Sequence, residues 1–429
     1  MNFKNASIKI AWSTIVQYSG KIIQLLIAVI ITKKLTAFFP NDLYGEYAWI
    51  IEYCLFFSVA ANLGLFANSI RLISDSPNDG KLFFNAVFLR ILTASLFFIG
   101  AIIVSLLISN TVLFTLSCIL FSISLLFDFF TMICDAYLQS NYMMGRATFA
   151  LISGKLMQLF LIILTVRYYH SIPSIKTITF FMLFPLAGSL VTGFFSLFFI
   201  SRKLKFEFKF DKTLSIFILK TGIPFGIINI LNYLYFRFIP VALAKHFLTG
   251  SQFGTFDLSF RIAFVLSLFS TFLMFSVMPA FKQSLTSGEW TFSYKLFKTA
   301  FLILAGAGTL LIVFGSWFGP FIIEVLTNKS FILPQFWFVF PLFLLLAAFS
   351  YFYDLALITL FSTGHDIWLL KREIVALISA SFIFILAYLI VNIQLKVFII
   401  ILGAITGETI IVTLGMIKIA SYFRRQLKI

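Results

Sequence analysis

The sequence predicts an all-α integral membrane protein, with about 12 transmembrane helices in two six-helix lobes related by a parallel pseudo-two-fold axis. Three observations lead there. The 429 residues are 61% hydrophobic and only 11% charged, with a mean hydropathy of +1.04, a balance foreign to soluble domains. Apolar runs of about 20 residues or more recur along the chain, the length a helix needs to cross roughly 30 Å of hydrocarbon. The second half also echoes the first in the order and chemistry of its charged positions.

The runs cover about 10–32, 46–70, 82–108, 112–138, 148–167, 177–200, 214–240, 253–281, 294–323, 336–362, 373–392 and 397–422. They read as helices because backbone polar groups in lipid must be satisfied within the segment. Barrel strands would show ~10-residue segments of strict alternation, and none occur. The first run is too long for a cleavable signal peptide and lacks a small-residue cleavage site. Cys54, Cys118 and Cys134 fall inside runs with no CxxC spacing, and His170, His246 and His365 form no cluster, so neither metal nor cofactor is expected. The net charge of +16 has no soluble basic face on which to meet nucleic acid.

Charge placement sets topology. Segments after even-numbered runs, together with both tails, hold nineteen Lys and Arg, Lys371 and Arg372 among them; the opposite side holds seven. The positive-inside rule then puts both termini in the cytoplasm. The expected organisation is an N-terminal lobe over 1–200, a basic cytoplasmic linker over 201–213 and a C-terminal lobe over 214–429. The linker sequence SRKLKFEFKFDK suits a solvated segment that touches anionic headgroups.

The halves align at Gly45, Tyr47 and Glu52 against Gly254, Phe256 and Arg261, each with an aromatic two residues and a charge seven residues after the glycine. Asp135 stands ten residues before Gly145, as Asp354 stands ten before Gly364. Two matched pairs in the same order indicate duplication. Both copies begin on the same membrane side, which makes the repeat parallel.

Six basic residues lie inside membrane-length runs: Lys21, Arg90, Lys155, Lys220, Arg237 and Arg261. Each would cost ~2.5–3.5 kcal/mol at the bilayer centre, so they must face a wet or protein-lined interior, and a cationic interior points to an anionic cargo. Thr14, Gln17, Lys21 and Gln24 share one helical face, either a substrate groove or polar glue between helices. Arg90, Lys155 and Lys220 either line the same interior or snorkel to the interface. Arg237 lies on a Gly/Pro-broken run with two Asn. Asp257 and Arg261, four apart, form either an internal ion pair or a switch released by substrate. Glu52, Asp128, Asp135, Asp354 and Glu408 have no such local partner and are candidates for ion coupling or gating, or for pairing with the buried bases.

These features resemble the polysaccharide-transporter branch of the MOP flippase superfamily, the Wzx-type O-antigen flippases. The resemblance rests on TKKLTAFFPNDLYGEY from Thr32 to Tyr47, NLGL from Asn62 to Leu65, TGSQFGTFDLSFRI from Thr249 to Ile262, and LFSTGHD from Leu360 to Asp366. It implies a MOP/MATE-like pair of lobes that alternate access across the bacterial inner membrane. It implies as cargo an undecaprenyl-pyrophosphate-linked oligosaccharide, an O-antigen or other surface-glycan unit. It also implies a monomer in the lipid bilayer, with a glycan polymerase as a candidate contact, and no enzymatic activity. The alternatives are a lipid II-type flippase, a MATE-like small-molecule exporter, which should show an acidic interior, and a membrane glycan polymerase, which should carry catalytic groups on a large external loop.

Overall fold

A computed structural model of the chain describes residues 3–65, 69, 72–73, 79–108, 111–141, 143–169, 171–327 and 333–427; within the helices, the side chains of 3–15, 17–18, 272, 275–276, 279–280, 282, 286, 320, 326 and 366 lie outside the described set. The apolar runs fold as helices: α1 (Phe3–Phe38), α2 (Asn41–Asn62), α3 (Gly80–Ile108), α4 (Val112–Ser140), α5 (Met144–Tyr168), α6 (Ile175–Ser201), α7 (Lys212–Phe247), α8 (Gly250–Thr286), α9 (Trp290–Leu326), α10 (Val339–Ser362), α11 (Asp366–Leu389) and α12 (Ile393–Leu427). Ten of these, α3 to α12, are long and apolar enough to cross a membrane among the described residues; α1 and α2 stand where the first two runs were expected. The chain is a multi-pass membrane protein.

Local chemistry sets the ends. Thr249 caps α8 with a capping box to Gln252, whose side chain accepts from the Thr249 N–H at 3.2 Å. The second run was expected to continue to residue 70, but α2 stops at Asn62. Leu63 turns left-handed at φ 43° and Gly64 follows at φ 69°, the usual helix-ending geometry. In α7, Pro240 has no N–H to return to Phe236, and the helix widens to a π turn at Leu234–Phe238 just before it.

The chain divides into two compact units, Met1–Ile227 and Ile228–Ile429, with the boundary inside α7. The first half of α7 joins the first unit because Gly222 and Gly226 let it press onto the Leu63–Gly64 turn: a Cβ built on Gly226 would lie 2.7 Å from the Gly64 nitrogen. Helix pairing repeats between the units. In the first, α1 meets α5, α2 meets α3 and α4, α3 meets α4, and α6 meets both α4 and α5; in the second, each pair recurs six helices on, the α7 π turn meeting α11.

The first unit packs its core around Phe83, Ile133 and Tyr137, and the second around Phe281, Leu360 and Phe423. Outer faces are apolar and exposed, as at Leu96, Ile99 and Ile103 on α3 and Leu302, Leu310 and Phe314 on α9. Leucine-rich surface facing outward is what a hydrocarbon solvent selects.

Between α6 and α7 the chain runs as a strap along α3. Buried Asn85 donates to the Lys209 carbonyl at 2.9 Å and accepts from the Asp211 N–H at 2.8 Å, while Lys81 meets Asp211 at 2.6 Å. Phe206, Phe208 and Phe210 pair with Phe83, Phe84 and Phe88. The hydrogen-bonded Lys81 ammonium holds the Asp211 carboxyl below the usual carboxylate range. This tie is therefore present above the free-carboxylate pKa of about 3.9 and is lost as pH falls through the lower folded value.

Replacing Gly226 by Ala is expected to lower stability by about 1–3 kcal/mol through overpacking against backbone. Gly306, whose Cβ position is open, should tolerate Ala without loss. Thermal unfolding of the detergent-solubilised protein checks both; equal melting of Gly226→Ala and wild type would contradict the close approach.

Candidate functional site

Two glycines build a hollow in the first unit. Gly154 on α5 and Gly188 on α6 bring the helix backbones together, with the Gly154 carbonyl oxygen only 2.8 Å from a Cβ placed on Gly188; small residues permit such approach in membranes. Beside them opens a cavity of about 380 Å³, polar at Gln24 of α1, Asp128 and Asp135 of α4, Lys155 and Gln158 of α5, and Ser189 of α6. Asp128 accepts from the Ser189 hydroxyl at 2.6 Å, and Ser189 lies 3.0 Å from Ser124. The Lys155 ammonium donates to Gln158 Oε1 at 3.3 Å. Asp128 and Asp135, seven apart on α4, both line the hollow, so its charge is mixed rather than uniformly basic. Such a lining can hold an anion at the lysine and hydroxyl groups at the carboxylates and amides.

Other candidates of this unit stand elsewhere. Lys21 is half-buried on α1, one turn before Gln24, while the Gln17 side chain, like that of Thr14, lies outside the described residues. Arg90 does not snorkel: it is fully buried, donates to the Asn62 side chain and to Met132 Sδ at 3.2 Å, and lies over the Phe129 ring at 4.3 Å. Glu52 is fully buried on α2, next to Ile51, which lines the cavity. Lys220 is exposed on α7.

In the second unit the charges are tied by short contacts. Arg261 donates to buried Asp257 at 2.5 Å. Asp354 accepts from Ser270 at 2.6 Å and Thr271 at 2.7 Å, both on α8. Arg237, on the π turn, is buried against the rings of Phe260 and Phe264, 5.1 and 5.0 Å from their centres. Glu408 accepts from Tyr235 at 2.8 Å, and Asn232 donates to the same Tyr235 oxygen at 2.6 Å.

Sequence reasoning missed one pair. The charge distribution places Arg372 in a connecting segment, yet Arg372 and Glu373 are buried, 3.7 Å apart, with Arg372 over the Tyr353 ring at 5.3 Å. The reason is helix length: α11 starts at Asp366, seven residues before the expected run, which puts both charges two turns inside. Gly364 at φ 74° followed by an acidic first residue was the signal available.

Removing the fully buried Arg90 takes its guanidinium donor from the half-buried Asn62 carbonyl oxygens and its packing from Phe129, so Arg90→Leu is expected to cost about 1–3 kcal/mol of stability. Lys220→Leu, at an exposed position, should be neutral. Melting of the purified variants reads the difference; a stable Arg90→Leu would contradict the packing role.

A family model described as polysaccharide biosynthesis protein matches residues 8–285. No curated protein matches the chain in sequence. Among solved structures, an inward-facing multidrug-resistance MATE transporter of the MOP superfamily superposes with a TM-score of 0.74 at 11% identity, covering 97% of this chain and 99% of its own. A MOP superfamily transporter from Pyrococcus furiosus, described by its reversed binding-pocket polarity, gives 0.69 at 13% identity with 96% of each chain covered. An outward-facing MATE transporter gives 0.67 at 12% identity, covering 98% of this chain and 95% of that one. The fold is thus that of these MOP superfamily transporters. The chain belongs to the polysaccharide biosynthesis protein family.

Proposed function

We propose that the protein is a flippase carrying an undecaprenyl-pyrophosphate-linked oligosaccharide, an O-antigen or similar surface-glycan unit, from the cytoplasmic to the periplasmic leaflet of a bacterial inner membrane. The observation that carries this reading is the polar cavity of the first unit, in a chain of a polysaccharide-biosynthesis family with a transporter fold. Gln24, Gln158, Asp128 and Ser189 offer the amide, carboxylate and hydroxyl partners that sugar hydroxyls need. Lys155, with Lys21 one turn from the cavity, supplies positive charge for pyrophosphate. Arg237 and Arg261 are the candidate bases of the second unit for anionic groups of the cargo, while the polyprenyl tail stays in lipid. Alternating access of the lobes delivers the head outward, with both termini in the cytoplasm. Asp128, Asp135, Glu52, Asp257, Asp354 and Glu408 are the candidate gating or ion-coupling groups.

A MATE-like exporter of small cations is the second reading, favoured by the two carboxylates that line the cavity beside one lysine. The two separate in one strain. Lys155→Leu and Lys21→Leu should each cut surface glycan more than tenfold, the scale of one lost charge-assisted contact of about 1.5–3 kcal/mol, with membrane abundance unchanged and lipid-linked glycan accumulating on the inner leaflet. Normal surface glycan in both variants, together with dye-cation efflux from vesicles that fails in Asp128→Asn, would overturn the flippase reading.

A further inference from the structure

Helices α9 and α12 leave an outward-facing groove of about 680 Å³ in the second unit, within the range of roughly 300–1,000 Å³ typical of ligand sites. One wall carries Tyr294, Lys298 and Leu302 and the other Met416, Ala420 and Arg424, each set spaced four residues apart and so stacked along a single helix face. The helices run antiparallel: the start of α9 meets the end of α12, with Tyr294 and Phe423 rings 5.3 Å apart and Trp290 and Tyr422 rings 6.1 Å apart. Lys298 and Arg424 therefore sit at the same mouth, while Leu302 and Met416 lie deeper. Buried Phe423 and Ile419 form a floor. Both basic side chains are exposed, and among the described residues neither is paired with a carboxylate.

This pattern selects its occupant. The groove lies between segments that cross a membrane, so lipid faces it. Its length is apolar and only its mouth is charged, with two positive groups at the end that the charge distribution assigns to the cytoplasm. A soluble anion would have no use for the apolar length, and a zwitterionic lipid would bring an ammonium against two cations. We infer that the groove binds an anionic phospholipid of the cytoplasmic leaflet, its phosphate between Lys298 and Arg424 and one acyl chain along Leu302 and Met416. Basic pockets between spans at this face suit such headgroups. The site is separate from the cavity of the first unit and does not depend on the cargo assigned to it.

Native mass spectrometry of the full chain with phosphatidylglycerol or phosphatidylethanolamine tests this. The wild type should hold phosphatidylglycerol about tenfold more tightly, the scale of two basic groups at an anionic headgroup. The double variant Lys298→Gln/Arg424→Gln should lose that preference, and Ala420→Trp, which fills the groove, should lower binding of both lipids. Lys371→Gln/Arg425→Gln should change neither. Equal binding of the two lipids by the wild type, an unchanged preference in Lys298→Gln/Arg424→Gln, an equal loss in Lys371→Gln/Arg425→Gln, or preferential capture of undecaprenyl phosphate over phosphatidylglycerol would each overturn the inference.

Discussion

Hydrocarbon offers no partner to a polar group, and the protein's internal organisation follows from that single restriction. Several charges inside the apolar helices are answered within their own unit. Asp257 takes Arg261, Asp354 takes two hydroxyls of α8, and Glu408 takes the Tyr235 phenol that Asn232 also holds. Arg90 is answered by Asn62 at the end of α2. The Asp354, Glu408 and Arg90 ties cross between helices distant in sequence, so they fix which helices lie side by side as well as satisfying the charge, whereas Asp257–Arg261 closes within α8. Losing one partner leaves a desolvated charge, which makes such ties costly to break. The outer surface can then be left to Leu, Ile and Phe.

Where polar groups cluster without closing on one another, space opens. The cavity of the first unit exists because Gly154 and Gly188 draw α5 and α6 together at one level while Gln24, Asp128, Asp135 and Lys155 converge beside them. The corresponding helices of the second unit pair in the same pattern but bury Arg372 and Glu373 near Tyr353 instead. Two units of similar helix pairing have thus taken different interiors.

Much of this was legible in the sequence. Run length and the absence of strict alternation gave the helices, and the Gly45/Gly254 echo anticipated a repeat that the pairing of helices displays. Helix ends were harder. Asn62-Leu63-Gly64 stopped α2 through backbone conformation rather than polarity, and α11 began at Asp366, seven residues before the expected run, so that Arg372 and Glu373 come two turns inside it. The site was legible only by type. Counting basic residues suggested a cationic hollow; the structure buries Arg90 against Asn62 and Phe129 and lines the cavity with two acids beside Lys155. One-dimensional spacing fixes which residues share a helix face; it does not fix which faces meet, and the Gly154–Gly188 approach that decides this has no periodic signal.

The central claim is that the polar groups of α1, α4, α5 and α6 surround a hollow that water reaches. Single cysteines at Gln158 and Ser189, in a chain whose native Cys54, Cys118 and Cys134 are all buried, test it in native membranes with a membrane-impermeant thiol reagent. The account predicts labelling at both positions and none for a cysteine at lipid-facing Leu96. Absence of labelling at Gln158 and Ser189, in intact cells and inverted vesicles alike, would contradict it.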